Sequence, residues 1–131
     1  MSEAAIEVAR KLLENDYSNW PADALGLMTE DVVLSTSDGK VYFGHDGCAL
    51  WYEQNVRTIE AREFIEYRIE QLDSEWVLGE GATRNEIRGG ETLMSPGCWL
   101  VRVQVSLVSA FLYYRTAAAA RNALARRLSQ S

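Results

Sequence analysis

The stretch from Cys98 to Thr116 contains no glycine, proline or asparagine and reads as strand throughout. As one strand it would run about 60 Å, at about 3.3 Å per residue. A compact domain of this length is only about 35–40 Å across, judged from its expected radius of gyration. The chain therefore has to fold back, and the most plausible place is Gln104-Val105-Ser106. Geometry puts the turn there, and not turn chemistry.

The rest of the chain arranges itself around that hairpin. Ile6, Ala9, Leu13 and Tyr17, with Leu12 beside them, recur at helical spacing, while Glu3, Glu7, Arg10, Lys11 and Glu14 take the other face. Asn19-Trp20-Pro21 restarts the chain, because proline suits the first turn of a helix. The short helix it opens carries Leu25 and Met28 and is expected to end near Thr29. Val32-Val33-Leu34 and Val41-Tyr42-Phe43 flank Ser37-Asp38-Gly39, a strong hairpin signal.

Gly44-His45-Asp46-Gly47 breaks the second strand and offers Asp46 as a helix start. The helix after it is expected to bury Ala49, Tyr52, Val56 and Ile59 and to end before Arg62. From Glu63 the period switches to two, with Ile65, Tyr67 and Ile69 alternating with Glu66, Arg68 and Glu70. Asp73-Ser74 turns the chain into Trp76–Ile87, and Gly89-Gly90 turns it again into Thr92-Leu93-Met94. Pro96-Gly97 then predicts a bulge or a sheet edge. Thr116 reads as the N-cap of a final helix from Ala117 to Leu128.

With 131 residues, no internal repeat and no low-complexity linker, the chain reads as one domain, 1–131. Apolar residues at 47% and charged residues at 24% are the ordinary globular mixture, which excludes disordered and collagen-like classes. No apolar run approaches the roughly 18 residues needed to span a bilayer, and no signal peptide is visible, so a cytoplasmic protein is expected. A net charge of −6 repels phosphate backbones and anionic lipid, which argues against nucleic acid and membrane surfaces as partners. The basic C-terminal residues Arg115, Arg121, Arg126 and Arg127 are read as partners of the negative end of a helix. Cys48, Cys98 and a single histidine, His45, cannot build an ordinary zinc site, so no metal and no cofactor is expected. Both cysteines read as buried free thiols.

Helices gathered at one end of a meandering sheet make an α+β architecture. This order resembles the nuclear transport factor 2-like superfamily, and especially its polyketide-cyclase-like members. Three stretches carry the resemblance: Leu27-Met28-Thr29-Glu30-Asp31-Val32-Val33, Phe43-Gly44-His45-Asp46-Gly47, and Ser109-Ala110-Phe111-Leu112-Tyr113-Tyr114. It implies a cone-shaped, strongly curved, mixed or antiparallel sheet with three to four helices closing a central pocket. It also implies a small hydrophobic molecule as ligand and a homodimer formed through the sheet. The stretches are scaffold features, and this scaffold hosts unrelated chemistries.

Two catalytic patterns of the superfamily can be laid on the chain. The ketosteroid isomerase pattern needs a carboxylate base, a tyrosine and a protonated aspartate. Those roles fall near Thr36, near Leu12, and near Cys98 or Trp99, so all three are empty. Asp38 lies two residues past the base position and reads as a solvated turn residue. The limonene epoxide hydrolase pattern is similar at Arg84-Asn85-Glu86, where alternation puts Arg84 and Glu86 on one face. Its second acid would fall near Leu112, which cannot take protons. Glu80, Arg84, Glu86 and Arg88 also make an exposed ladder of alternating charge, the more economical reading.

Arg84, Glu86 and His45 are thus the candidate catalytic residues, with a solvated or cap-adjacent corner histidine the more economical reading of His45. Tyr17, Trp20, Tyr52, Trp99 and Tyr113 are the candidate ligand-binding residues, since aromatic rings with polar tips both hold and orient a ligand. Both faces of the last two strands are bulky and apolar, so their inward face is not readable. Val101, Val103, Val105, Val108 and Leu112 form the candidate dimer group. Three functions stay open: an isomerase, dehydratase, cyclase or hydrolase of a hydrophobic substrate; a non-catalytic binding protein; and a dimerisation module.

Overall fold

The computed structural model describes residues 2–15, 18–19 and 22–130. Helix α1 (Ser2–Leu13) buries Ala5, Ala9, Leu12 and Leu13 as its spacing requires. Tyr17 and Trp20 lie outside the described residues. A short helix α2 (Ala22–Leu25) leads into β1 (Met28–Ser35), whose start lies before the expected Val32. Met28 and Thr29 are strand and not helix because tertiary pairing claims them. Met28 sits opposite Val108, whose N–H donates to the Leu27 carbonyl at 2.8 Å.

Strand β2 (Val41–Phe43) pairs back on β1 across the Asp38-Gly39 turn. Helix α3 (Gly44–Trp51) follows directly, with Phe43 at the cap position and Asp46 inside its first turn. A π-helical turn (Tyr52–Val56) widens its end. Ile59 opens β3 (Ile59–Gln71) rather than closing the helix. The buried face of α3 is also displaced from the expected one, with Cys48 fully enclosed and Trp51 packed on the core.

Strands β4 (Trp76–Ile87), β5 (Thr92–Gln104) and β6 (Leu107–Tyr114) complete a six-stranded sheet in the order β2-β1-β6-β5-β4-β3. Strands β1 and β6 run parallel and all other neighbours antiparallel, so the sheet is mixed, and it does not close. The fold-back lies where chain length demanded it. Val105 and Ser106 form the turn, both in the left-handed region at φ 51° and 65°. Two such residues make the tight type I′ geometry that matches strand twist. Pro96 and Gly97 keep register with Ala82 and Gly81 of β4, so there is no bulge against that neighbour. Pairing with β6 stops at Cys98, which leaves Pro96 on a local sheet edge where its missing N–H costs nothing.

Helices pack on both faces of this sheet. On the inner face, Val77, Trp99, Val101, Val103 and Val108 join α1 in the main core. On the outer face, Trp76, Leu78, Cys98, Leu100, Ala110 and Leu112 lie under helix α4 (Ala117–Ser129), which contributes Ala120 and Leu124. Thr116 caps α4, its Oγ1 accepting from the Ala119 N–H at 3.1 Å. The guanidinium groups of Arg102 and Arg127 lie 5.8 and 5.6 Å from the Trp76 ring, tying α4 to the sheet.

This two-sided cover corrects the expected dimer group. Val101, Val103 and Val108 belong to the inner core, Leu112 lies beneath α4, and only Val105, 95% accessible, is bare. Their parity was not readable from the sequence, which left the five as one group. The bulge at Ser109, between the pairs Arg102–Ala110 and Val103–Val108, switches the parity partway along.

Candidate functional site

The inner face of the sheet leaves a cavity of about 390 Å³. Strand parity decides what lines it. Because Trp76 and Leu78 are held outward by α4, the odd residues of β4 face inward. Glycine at 79 then admits the Leu13 side chain of α1, while Thr83 and Asn85 reach the cavity. The same parity brings in Ser95 and Trp99 from β5, and Phe111 and Tyr113 from β6. Leu12 of α1, Trp51 of α3 and Met28 and Leu34 of β1 close the apolar side. Ser35, Thr36, Ser37 and Asp38 form a polar rim where β1 turns, and Ile59 and Arg62 come from β3.

The aromatic wall is mutually braced. Trp99 meets Phe64 and Tyr113 edge to face, each with centroids 5.7 Å apart. Tyr113 lies across Gly97, where a Cβ would come within 2.4 Å of its ring. Its hydroxyl donates to the Pro96 carbonyl at 3.3 Å, and its backbone N–H donates to Ser35 Oγ at 3.2 Å. Glycine at 97 is therefore a space requirement of the cavity wall.

The polar groups have distinct states. Arg62 Nη1 donates to the Leu13 and Asn15 carbonyls, both at 2.6 Å, and so caps the end of α1 from β3. Thr83 Oγ1 donates to the Ser95 carbonyl at 3.4 Å. Asn85 Oδ1 is buried and has no hydrogen-bond partner in the protein. Asp38 accepts from Thr36 Oγ1, and from the Lys40 N–H at 3.2 Å. These bonds, the Thr36 hydroxyl foremost, hold its carboxyl below the ordinary carboxylate range. A carboxylate so stabilised is ionised at neutral pH and a weak proton acceptor.

The candidate residues from the sequence separate cleanly. Trp99 and Tyr113 are on the cavity wall. Tyr52 is half-buried, but its neighbour Trp51 takes the cavity position, one residue and about 100° away around the helix. His45 is half-buried and its Nε2 lies 3.3 Å from the Met28 carbonyl oxygen, outside the lining. Arg84 and Glu86 are exposed on the outer face, and Arg84 lies 3.9 Å from Glu63 of β3. The residue between them, Asn85, is the one that faces the cavity. Sequence alternation paired Arg84 with Glu86 correctly but could not say which face they occupied.

The three ketosteroid isomerase positions fall on the wall as Leu12, Thr36 and Trp99, and none carries an acid or a tyrosine. Asp38, set aside as a turn residue, belongs to the rim. Arg62, Thr83, Asn85 and Ser95 had no signal in the sequence beyond strand parity. Cys48 and Cys98 are buried and unpaired, and burial pushes the Cys48 thiol up to about 11 and the Cys98 thiol upward as well. Neither is a ready thiolate. Among the described residues, no group of three or more His, Cys, Asp or Glu is placed to hold a metal ion. No helix among them is long and apolar enough to cross a membrane.

No family profile and no curated protein matches the sequence. Solved structures do match the fold. An NTF2-like protein from Anabaena variabilis superposes with a TM-score of 0.71 at 13% identity, over 88% of this chain and 92% of that one. A SnoaL-like polyketide cyclase from Jannaschia gives 0.70 at 11% identity, over 92% and 90%. A protein of ketosteroid isomerase-like fold from Catenulispora acidiphila, solved with trimethylamine, gives 0.69 at 15% identity, over 85% and 86%. The chain has the nuclear transport factor 2-like fold, an α+β cone with an unclosed mixed sheet.

Proposed function

We propose that this protein binds a small, largely apolar molecule with one polar edge, and holds it without covalent chemistry. One observation carries the reading: a cavity of about 390 Å³ is lined by the rings of Trp51, Trp99, Phe111 and Tyr113 together with a short polar strip. That volume and composition are those of sites that take small organic ligands. The neighbour solved with trimethylamine supports the same use of the scaffold. Binding is favoured over acid–base chemistry because the ketosteroid isomerase positions on the wall are Leu12, Thr36 and Trp99, and the one carboxylate on the described wall, Asp38, sits in the exposed rim. Trp99 and Tyr113 are the proposed ligand contacts, and two buried free thiols fit a reducing, cytoplasmic setting.

Native mass spectrometry of gently purified protein tests this. The expected result is an adduct of small-molecule mass on the wild type and none on Ser95→Trp, which sets an indole across the exposed lip of the cavity. A wild type that carries no adduct and takes up no aromatic probe refutes the proposal. The same spectra decide the homodimer. The outer face carries α4 over Trp76, Leu78, Leu100 and Leu112, so a dimer through the sheet has to leave that helix in place. A doubled mass supports it, and a single mass at micromolar concentration removes it.

A further inference from the structure

We propose that Asn85 makes the cavity select ligands that present a carbonyl oxygen to it. This rests on the binding function proposed above and names the ligand chemistry of that same cavity. Asn85 is half-buried and lines the cavity from β4, between Arg62 of β3 and Leu93 of β5. Its amide is turned so that Oδ1 is enclosed by protein, which leaves Nδ2 as the accessible, unbonded end. That orientation is the less costly one. An enclosed oxygen leaves one acceptor unmet, whereas an enclosed amide nitrogen would strand two N–H donors. What Asn85 offers a ligand is therefore its N–H groups.

Two other residues of the lining make the same demand. Arg62 stands opposite Asn85 in the strand register and also lines the cavity. Side chains so paired start about 4.5–5.5 Å apart, and every polar atom of a guanidinium is a donor. On β1, Ser35 Oγ accepts from the Tyr113 N–H at 3.2 Å, and among the described residues nothing accepts its own proton. Thr83 differs, because its proton is spent on the Ser95 carbonyl. Donors thus reach the cavity from β1, β3 and β4, and a ligand completes them by bringing an acceptor. The lining carries one charge of each sign, Arg62 and Asp38, so it selects by hydrogen-bonding capacity and not by net charge. The acceptor is a neutral carbonyl, a ketone or an ester, on an apolar body that Trp99 and Phe111 contact.

Acetophenone and α-methylstyrene are the probes, since they share one shape and differ in a carbonyl oxygen against a CH2 group. Each is titrated into the wild type and into Asn85→Leu, with binding followed by backbone amide chemical shifts. The two probes leave water with different ease, so each is compared with itself across the two proteins. Acetophenone is expected to bind about ten-fold weaker to Asn85→Leu, the effect of losing one hydrogen bond. α-Methylstyrene is expected to bind Asn85→Leu at least as well as the wild type. An acetophenone affinity that Asn85→Leu leaves unchanged overturns the role of Asn85 while leaving the cavity a binding site. So does an equal loss for both probes, which would mark Asn85 as a matter of space alone. Failure of both probes to bind the wild type overturns this inference together with the binding function. If circular dichroism shows Asn85→Leu unfolded, Asn85→Ala removes the same N–H groups without adding bulk and takes its place.

Discussion

Replacing Gly97 by alanine adds one methyl group at the point where β5 passes under the cavity wall. The backbone there is not in the left-handed region, so alanine fits its conformation. Space is the whole difficulty. The added Cβ would lie 2.4 Å from Tyr113 Cε1, 3.2 Å from Cζ and 3.3 Å from Cδ1. Carbon atoms prefer about 3.5–4.0 Å, so the ring has to retreat by about 1 Å. Retreat strains the hydroxyl's bond to the Pro96 carbonyl and the edge-to-face contact with Trp99. Overpacking of this kind costs about 1–3 kcal/mol. With an unfolding entropy of about 2.1 cal/mol/K per residue, that lowers Tm by about 4–11 °C. A double-mutant cycle isolates the clash: Gly97→Ala is costly in the wild type and nearly neutral in a Tyr113→Ala background. Calorimetric melts of the four proteins provide the numbers. Additive losses, or an unchanged Tm in the single variant, would refute the account of Gly97 as the space that seats Tyr113.

Two further outcomes follow from the geometry. Val105 is β-branched, 95% accessible and held at φ 51°, so Val105→Asn removes strain without removing packing. It should raise stability by about 1 kcal/mol and Tm by about 4 °C, and a melt that stays level or falls would contradict the strain. The Asp38 carboxyl should titrate below the usual value of about 3.9 in an NMR pH series, and Thr36→Val should move it back up. A depressed folded-state value means that its contribution to stability is present above the unfolded pKa and fades as pH falls through the folded one. A titration unmoved by Thr36→Val would remove the hydroxyl as the principal cause.

Much of the fold was legible because it rests on local rules. Helical spacing located α1, Asp38-Gly39 located the first turn, and Thr116 located the start of α4. Chain length alone placed the Val105-Ser106 turn, against the conformational preference of the β-branched Val105. The misreadings arose where a distant partner outvoted local pattern. Met28 became strand through Val108, and Ile59 became strand through Ile87. The site was less legible than the fold. Trp99 and Tyr113 could be named from their chemistry, but Asn85, Thr83 and Arg62 are ordinary strand residues until their direction is known.

The order of helices and strands, the long final hairpin and the empty catalytic positions were properties of the sequence itself. Spacing, turn chemistry and residue type are encoded within a few positions of one another. The direction of each strand residue was decided only in three dimensions. A strand with apolar residues on both faces can be flipped without breaking its own pattern. Here α1 against Val77 and Gly79, and α4 against Trp76 and Leu78, settled which way β4 faces. That packing turned Asn85 into the cavity and left Arg84 and Glu86 in solvent.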